Sequence, residues 1–194
     1  MYSKGSAVVE RANEATPSDI QAHLIEHPDA YQVGCLSMDE LTPSLREKIW
    51  TLLQENMFEL YTNSSFGWDS DKKQEEIFNS LSRFIIVRQC QDLNQVAAFC
   101  TFRFEYEHQV DMIYCYELQV SRSYKRQKLG QYLMNCMSAI GAALKMQQVQ
   151  LTVFLANTEA RAFYRAMGFS LDPTSPDPEE EEDEIDYEIL CKSC

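Results

Sequence analysis

Between Leu118 and Leu133 the chain reads LQVSRSYKRQKLGQYL, an apolar run that turns through Arg122, Lys125, Arg126 and Lys128 into a helix-periodic stretch opening at Gly130. A strand-to-helix junction of this kind aims free backbone N–H groups and the positive end of the helix at one point, which suits a pyrophosphate. The same residues would also make an ordinary basic loop at a helix start. Just before them, DMIYCYELQV sets the carboxylate of Glu117 among apolar and aromatic neighbours, a setting fit for accepting a proton. Strict strand alternation sends Tyr114 and Tyr116 to one face and Cys115 and Glu117 to the other, so a tyrosine and Glu117 can share a site only across a β-bulge. Cys115 as a covalent nucleophile would need a base or a positive field beside it, and none is evident, so direct attack on a substrate is the favoured chemistry. In FRFEYEHQ, Glu105 and Glu107 lie two apart and share a face, with Tyr106 opposite; they could grip a guanidinium or simply form a solvated sheet edge. NTEARAFYRAMGF places Asn157, Ala160, Phe163, Tyr164, Gly168 and Phe169 at fixed spacing on a helix closed by glycine. Tyr61, Phe66 and Trp68, in a glycine-containing stretch, are either walls of a slot or plugs of a core.

The elements that must position these residues follow from periodicity and punctuation. TPSDIQAHLIEH reads as a helix capped by Thr16 or Ser18 and ending at His27-Pro28, and YQVGCLSM as a strand. LTPSLREKIWTLLQENMFEL has Thr42 as cap, Pro43 in the first turn and apolar Leu45, Ile49, Leu52, Leu53 and Phe58, while YTNSSFGW reads as a loop. A polar helix follows over about 69–81. RFIIVRQ, QVAAFCTFRFEYE and DMIYCYELQV form an antiparallel meander. KLGQYLMNCMSAIGAALKM is a helix, QVQLTVFL a strand, TEARAFYRAM a helix ended by Gly168, and GFSLD and IDYEILCK strands around an acidic loop. The expected class is α+β, a mixed and mostly antiparallel sheet flanked by helices. Residues 1–30 form an N-terminal helical segment packed on a domain that spans 31–194.

Composition narrows the partners. The 194 residues carry a formal charge of −13, which disfavours phosphate backbones, so no direct nucleic-acid ligand is expected. Eight carboxylates and no base lie in the run from Asp177 to Asp186, DPEEEEDEID, so much of the acidity is one loop. The cysteines at 35, 90, 100, 115, 136, 191 and 194 show no CxxC pair and no metal-like grouping with the histidines. No metal is expected. An intracellular, reducing location follows from that cysteine usage and from an N-terminus without an apolar signal core. No apolar run approaches a membrane span, and no membrane partner is expected.

Lys125-Arg126-Gln127-Lys128-Leu129-Gly130 resembles the acetyl-CoA loop of the GCN5-related N-acetyltransferase (GNAT) superfamily, with lysines where the superfamily's first Arg or Gln and first glycine stand. Asn157, Ala160, Phe163, Tyr164, Gly168 and Phe169 resemble its second cofactor motif, and the element order agrees. The resemblance implies a single GNAT domain and acetyl-CoA as cosubstrate, held by Leu118, Gln119, Val120, Arg126, Gln127, Lys128, Leu129, Gly130, Gln131, Asn157 and Tyr164. The strand groups of Leu118–Val120 would pair with pantetheine amides. At the first-glycine position, Lys128 is expected to keep a helical or extended backbone with its side chain swung away from the phosphates.

A finer resemblance, carried by YTNSSFGW, FRFEYE, IYCYELQV, LTVF and IDYEIL over about 57–190, is to the N-alpha-acetyltransferase D (NatD) family. It implies acetylation of the N-terminal serine of histones H-four and H-two-A, which begin Ser-Gly-Arg-Gly. Glu117 would be the general base, with Tyr114, Tyr116 and Tyr61 in the catalytic group. Tyr61, Phe66, Trp68, Glu105, Tyr106, Glu107, Tyr116, Thr152 and Tyr187 would contact the peptide, the acidic pair taking its arginine. Phe66 stands where that family has tryptophan. The resemblance implies histone tails as partners, a monomer, and activity in cytoplasm and nucleus. Two other readings are a GNAT acting on lysine side chains or small amines, and a non-catalytic acidic module that binds histones.

Overall fold

The computed structural model describes residues 6–27, 29–177 and 185–194. Its elements are α1 (Ala7–Glu14), α2 (Pro17–Gln21), β1 (Tyr31–Ser37), α3 (Pro43–Thr62), α4 (Ser70–Ile77), β2 (Arg83–Gln89), β3 (Asp92–Glu107), β4 (Val110–Val120), α5 (Leu129–Leu144), β5 (Gln148–Phe154), α6 (Thr158–Ala166), β6 (Ser170–Leu171) and β7 (Tyr187–Ser193). Local chemistry sets most helix starts. Ser6 Oγ accepts from Val8 N and Val9 N, Thr16 and Asp19 form a reciprocal capping box, Thr42 precedes Pro43 and accepts from Leu45 N, and Asp69 accepts from Lys72 N. Gly168 takes φ +88 just past α6, the left-handed stop that a glycine reaches at no steric cost.

Four boundaries differ from the sequence reading, the polar helix expected over about 69–81 among them, since α4 ends at Ile77. α1 is an added helix whose Val9 and Ala12 are buried. α2 stops at Gln21 instead of running to His27, and α3 continues through Tyr61 and Thr62 into what reads as loop. Of the acidic run 177–186, residues 178–184 lie outside the described residues.

The sheet has the order β1-β2-β3-β4-β5-β7-β6 and is antiparallel except where β4 meets β5. Apolar side chains fill both of its faces. One cluster joins Val9, Ala12 and Ile20 of the first helices to Ile85, Phe102, Phe104, Ile113 and Cys115 of the sheet and to Leu133, Met137 and Ile140 of α5. The other packs Ile49, Leu52 and Leu53 of α3 and Ile77 of α4 on Phe84, Ile86 and Phe99. No helix is long and apolar enough to cross a membrane, among the described residues.

Two irregularities matter for function. β4 pairs with β5 in parallel only over Met112–Cys115 against Gln148–Leu151, after which the strands part. β4 also bulges: Thr101 faces Glu117 and Phe102 faces Cys115, which leaves Tyr116 as the extra residue. Ahead of the bulge Ile113 and Cys115 point to the α5 side, and beyond it Leu118 and Val120 do. Tyr116 and Glu117 therefore both face α3 and α4, which simple alternation forbids.

Candidate active site

Where β4 and β5 part, a cavity of about 1120 Å³ opens. Tyr116–Val120 form one flank and Thr152–Phe154 the other, with α3, α4, the start of α5 and α6 as walls. Cutting the ladder short creates the space, and the bulge delivers both an aromatic ring and a carboxylate into it.

Glu117 is 4% exposed. Its Oε1 lies 2.9 Å from Lys73 Nζ and accepts from Tyr61 OH at 3.3 Å, and its Oε2 accepts from Gln119 Nε2 at 2.7 Å. Gln119 is steadied in turn by Asn56, whose Nδ2 donates to Gln119 Oε1 at 2.9 Å and to Val120 O at 3.2 Å. Lys73 Nζ also donates to Tyr61 OH at 2.5 Å and pairs with Glu76. Burial works against the Lys73 ammonium, but Glu117, Tyr61 and Glu76 reverse that and hold its pKa above the ordinary lysine value. Burial, reinforced by the charge of Glu117, raises the Tyr61 phenol, so it stays a protonated donor.

The flanking tyrosines stay protonated as well. Burial pushes Tyr114 up to about 12, against a smaller opposing effect of its 2.6 Å hydrogen bond with Thr152 Oγ1 across the parting strands. Tyr116 is raised by burial and then by Glu105, to which its OH donates at 3.1 Å. The Arg103 guanidinium lies 4.1 Å from the centre of the Tyr116 ring and is itself held by Ser82 Oγ and Glu76 O. Glu105 is raised by burial, opposed by Tyr116 and Arg103.

At the other end, Arg122, Lys125, Arg126, Lys128, Leu129, Gly130 and Gln131 line the cavity, a basic rim on a chain of charge −13. No side chain caps α5, so its first N–H groups face the cavity without a side-chain acceptor. That uncapped start, the basic rim and the open strand flanks together fit a long phosphate-bearing cosubstrate such as acetyl-CoA.

Lys128 departs from its expected backbone. It sits at φ +63, ψ +14, the left-handed region a glycine would occupy, so the turn keeps the glycine shape and lysine bears the strain. Arg126 is likewise at φ +65. Asn157 Oδ1 caps α6 by accepting from Ala160 N at 3.2 Å, which leaves only its NH2 end to serve a ligand. Tyr164 is buried at the cavity floor with its phenol raised by burial.

Of the candidate residues, Tyr61, Phe66, Trp68, Tyr114, Tyr116, Glu117, Leu118, Gln119, Val120, Thr152 and Tyr187 line this cavity together with the cofactor set, Gln127 excepted. The Gln127 side chain instead accepts from Tyr31 OH and donates to Ser123 O, which turns it toward β1. Glu105 and Glu107 stand on β3 outside the cavity lining, Glu105 joined to it through Tyr116. Tyr106 does not reach the site, because alternation along β3 packs it against the α5-side core.

The aromatic residues form a continuous wall. Trp68 contacts Trp50, Phe58 and Tyr61 at ring separations of 5.5, 5.3 and 5.9 Å, and Tyr61 meets Phe154 at 4.9 Å. Phe66, 52% exposed, bridges Phe154 at 5.5 Å and Tyr187 at 5.0 Å. Beside it, Ser65 donates from N and Oγ to the two oxygens of Asp186 at 2.6 and 2.7 Å, tying the α3–α4 loop to the entry of β7. Sequence reasoning missed Lys73, Glu76, Asn56, Arg103 and Phe154. Among the described residues no group of three or more His, Cys, Asp or Glu is placed to hold a metal.

Residues 49–169 match the acetyltransferase (GNAT) family. Similar solved structures include Arabidopsis thaliana NAA60 in complex with a bisubstrate analogue, at 13% identity, 84% of this chain, 98% of that one and TM-score 0.59. Arabidopsis thaliana Naa50 in complex with bisubstrate analogue CoA-Ac-MVNAL matches at 15% identity, 85% and 99% coverage and TM-score 0.57. An acetyltransferase from Streptococcus agalactiae matches at 14% identity, 86% and 100% coverage and TM-score 0.62. At such identities the likeness is one of fold.

Proposed function

Since the chain belongs to the GNAT acetyltransferase family, whose members use acetyl-CoA, we propose that it acetylates the α-amino group of a protein N-terminus, and specifically of histone tails beginning Ser-Gly-Arg-Gly. The observation that carries this reading is the roof over one end of the cavity. Phe66 packs on Tyr187 in the cavity lining and Ser65 bonds Asp186 beside them; in this reading that bridge bars the side on which an internal lysine's chain would have to leave. A chain terminus needs only one way in.

Acetyl-CoA supplies an acetyl group already activated as a thioester. The protein's task is to deliver an uncharged amine and to keep water out. An unperturbed α-amino group titrates at about 7.7–8.0 against about 10.4 for a lysine side chain, so a modest base suffices for a terminus. In this reading Glu117 takes that proton, directly or through water, while Tyr61, Tyr114 and Tyr116 remain O–H donors that orient the incoming group. Thr152 and Tyr187 contact the first residues of the peptide. Leu118–Val120 and the amide of Asn157 hold the pantetheine arm, and the α5 start with Arg126, Lys128 and Gly130 holds the phosphates.

The third-position arginine falls to Glu105 and Glu107. Glu105 is half-buried and already anchored by Tyr116 OH, so a guanidinium reaching it would link recognition to the catalytic strand. A basic tail would also be steered by the charge of −13. With histone tails as substrate, the protein would work in cytoplasm and nucleus.

The test is transfer from labelled acetyl-CoA to two synthetic Ser-Gly-Arg-Gly tails, one with a free and one with a blocked N-terminus, mapped by mass spectrometry. Label confined to the first residue of the free tail is the expected result. Label on lysines of both tails would move the activity to side chains, and no label with no cofactor binding would refute the enzyme reading.

A further inference from the structure

α4 is a polar helix, SDKKQEEI, yet one of its two lysines is largely withdrawn from solvent. Lys72 is 84% exposed at its side chain and Lys73 only 10%. Each hydrogen of the Lys73 ammonium has an acceptor: Glu117 Oε1 at 2.9 Å, Tyr61 OH at 2.5 Å, and Glu76. The carboxylate of Glu117 is equally committed, Oε1 to Lys73 and Tyr61 and Oε2 to Gln119, which Asn56 fixes from α3. Lys73, Glu76 and Glu117 together sum to one negative charge.

We infer that Lys73 is a positioning residue for acetyl transfer: it holds the buried Glu117 as an oriented carboxylate in a cluster of net negative charge, which the substrate's ammonium group completes. The inference rests on the reading of Glu117 as the proton acceptor. The groups around Glu117 are Tyr61 from α3, Lys73 from α4 with Glu76 beyond it, Tyr164 from α6, Gln119 on its own strand, and Cys115, which lies on the other face with its thiol at the Glu117 carbonyl. Burial raises Tyr61, Tyr164 and Cys115, and Glu117 adds to each, so these stay neutral near pH 7. Lys73 is the cation that faces Glu117 in an ion pair among the described residues. Without it, the buried Glu117 carboxylate would be left with no counter-charge and with the partly exposed Glu76 as its anionic neighbour, and a carboxyl so placed binds a proton more readily. A protonated acid cannot accept the amine's proton.

The experiment measures kcat and KM against pH for wild type, Lys73→Met, Lys73→Arg, Glu76→Gln and Glu117→Gln, with acetyl-CoA affinity and thermal unfolding as checks of integrity. Lys73→Met should lose at least about tenfold in kcat near pH 7, with the ratio to wild type recovering toward about pH 9, because high pH restores the carboxylate. Lys73→Arg, which keeps the charge, should recover most of the loss. Glu76→Gln alters a partly exposed side chain and leaves the cluster neutral, so KM for the amine substrate should rise about threefold or more.

A Lys73→Met defect of the same factor at every pH, without rescue by arginine, would overturn the inference, and so would a Glu76→Gln enzyme of unchanged KM. Should Lys73→Met fail to fold, Lys73→Arg and Glu76→Gln decide: a low-activity arginine enzyme or an unchanged KM counts against it. Near-normal turnover by Glu117→Gln would instead remove Glu117 from the base role, a failure of the underlying reading that the other variants do not mimic.

Discussion

Replacing Lys128 by glycine should make the protein more stable, although it removes a charged side chain from the edge of the cavity. Lys128 holds φ +63 directly before α5. For an L-residue with a Cβ this region costs roughly 1–2 kcal/mol, whereas glycine enters it freely. Glycine also gains freedom in the unfolded chain, which returns about 0.4–1 kcal/mol of that relief. The net gain is about 0.5–1 kcal/mol, which for a chain of 194 residues raises Tm by about 1–4 °C. Lys128→Ala is the necessary partner variant, since it removes the charge while keeping the Cβ and its strain. Differential scanning calorimetry of wild type and both variants, without ligand, isolates the backbone effect as the glycine-minus-alanine difference. Isothermal titration with acetyl-CoA isolates the charge: both variants should bind more weakly by a similar factor of about two to five, the worth of one screened phosphate contact. A glycine variant no more stable than the alanine variant would refute the strain argument. An alanine variant of full affinity would take Lys128 out of the phosphate contacts.

Exchanging both Glu105 and Glu107 for alanine should raise KM for an Arg-containing tail about tenfold and leave a tail with alanine at that position nearly unaffected; equal losses in steady-state assays of both tails would make the pair structural. Asp186→Ala removes the acceptor of both Ser65 bonds, from N and from Oγ, at a solvent-exposed contact, so Tm should change little while KM for the peptide rises several-fold; an unchanged KM would remove this bridge from recognition. The Tyr114 phenol, raised by burial to about 12 from an ordinary value of 10, favours the folded state while both forms keep the proton. That contribution is complete below about pH 10 and is lost as pH rises toward 12, so urea titrations of Tyr114→Phe should show a shallower alkaline decline than wild type. Parallel alkaline declines would show that Tyr114 is not the group responsible.

Much of this architecture could be read from residues because local signals agreed with the global plan. Thr42-Pro43, Asp69 and Gly168 mark helix ends by hydrogen bonding and φ alone, and the three-strand meander follows from β-branched and aromatic runs. The bulge was legible by an indirect route: alternation put Tyr116 and Glu117 on opposite faces, so a shared site demanded an extra residue in β4, and Tyr116 is that residue. Lys73 was not legible. Neighbouring lysines in DSDKKQEE differ only in which way α4 rolls onto α3, and that roll is decided by Ile77 and by the partners waiting at Glu117 and Tyr61. Ser65 and Asp186 are likewise joined only by the fold, and nothing near either residue announces the other. The expected backbone at Lys128 failed because lysine's low tolerance of positive φ was allowed to outweigh the turn, whereas the turn dictates the conformation and the residue submits.

The parting of β4 from β5 also makes the sheet two plates stitched along one short seam. β1 to β4 form one plate and β5, β7 and β6 the other, fastened by strand pairing along Met112–Cys115 and Gln148–Leu151, by bonds between Asp111 and Gln147 just outside it, and by the Tyr114–Thr152 side-chain bond at its open end. A seam closed at one end resists sliding along the strands much more than it resists gaping at the open end. Its unfastened lips carry backbone groups in the middle of a sheet where a neighbouring strand would normally cover them. A molecule lodged in the notch touches both lips, so it works as a rivet between plates. Amide exchange should then slow in step on Tyr116–Val120 and on Thr152–Phe154 when the notch fills, although the two lips belong to separate plates.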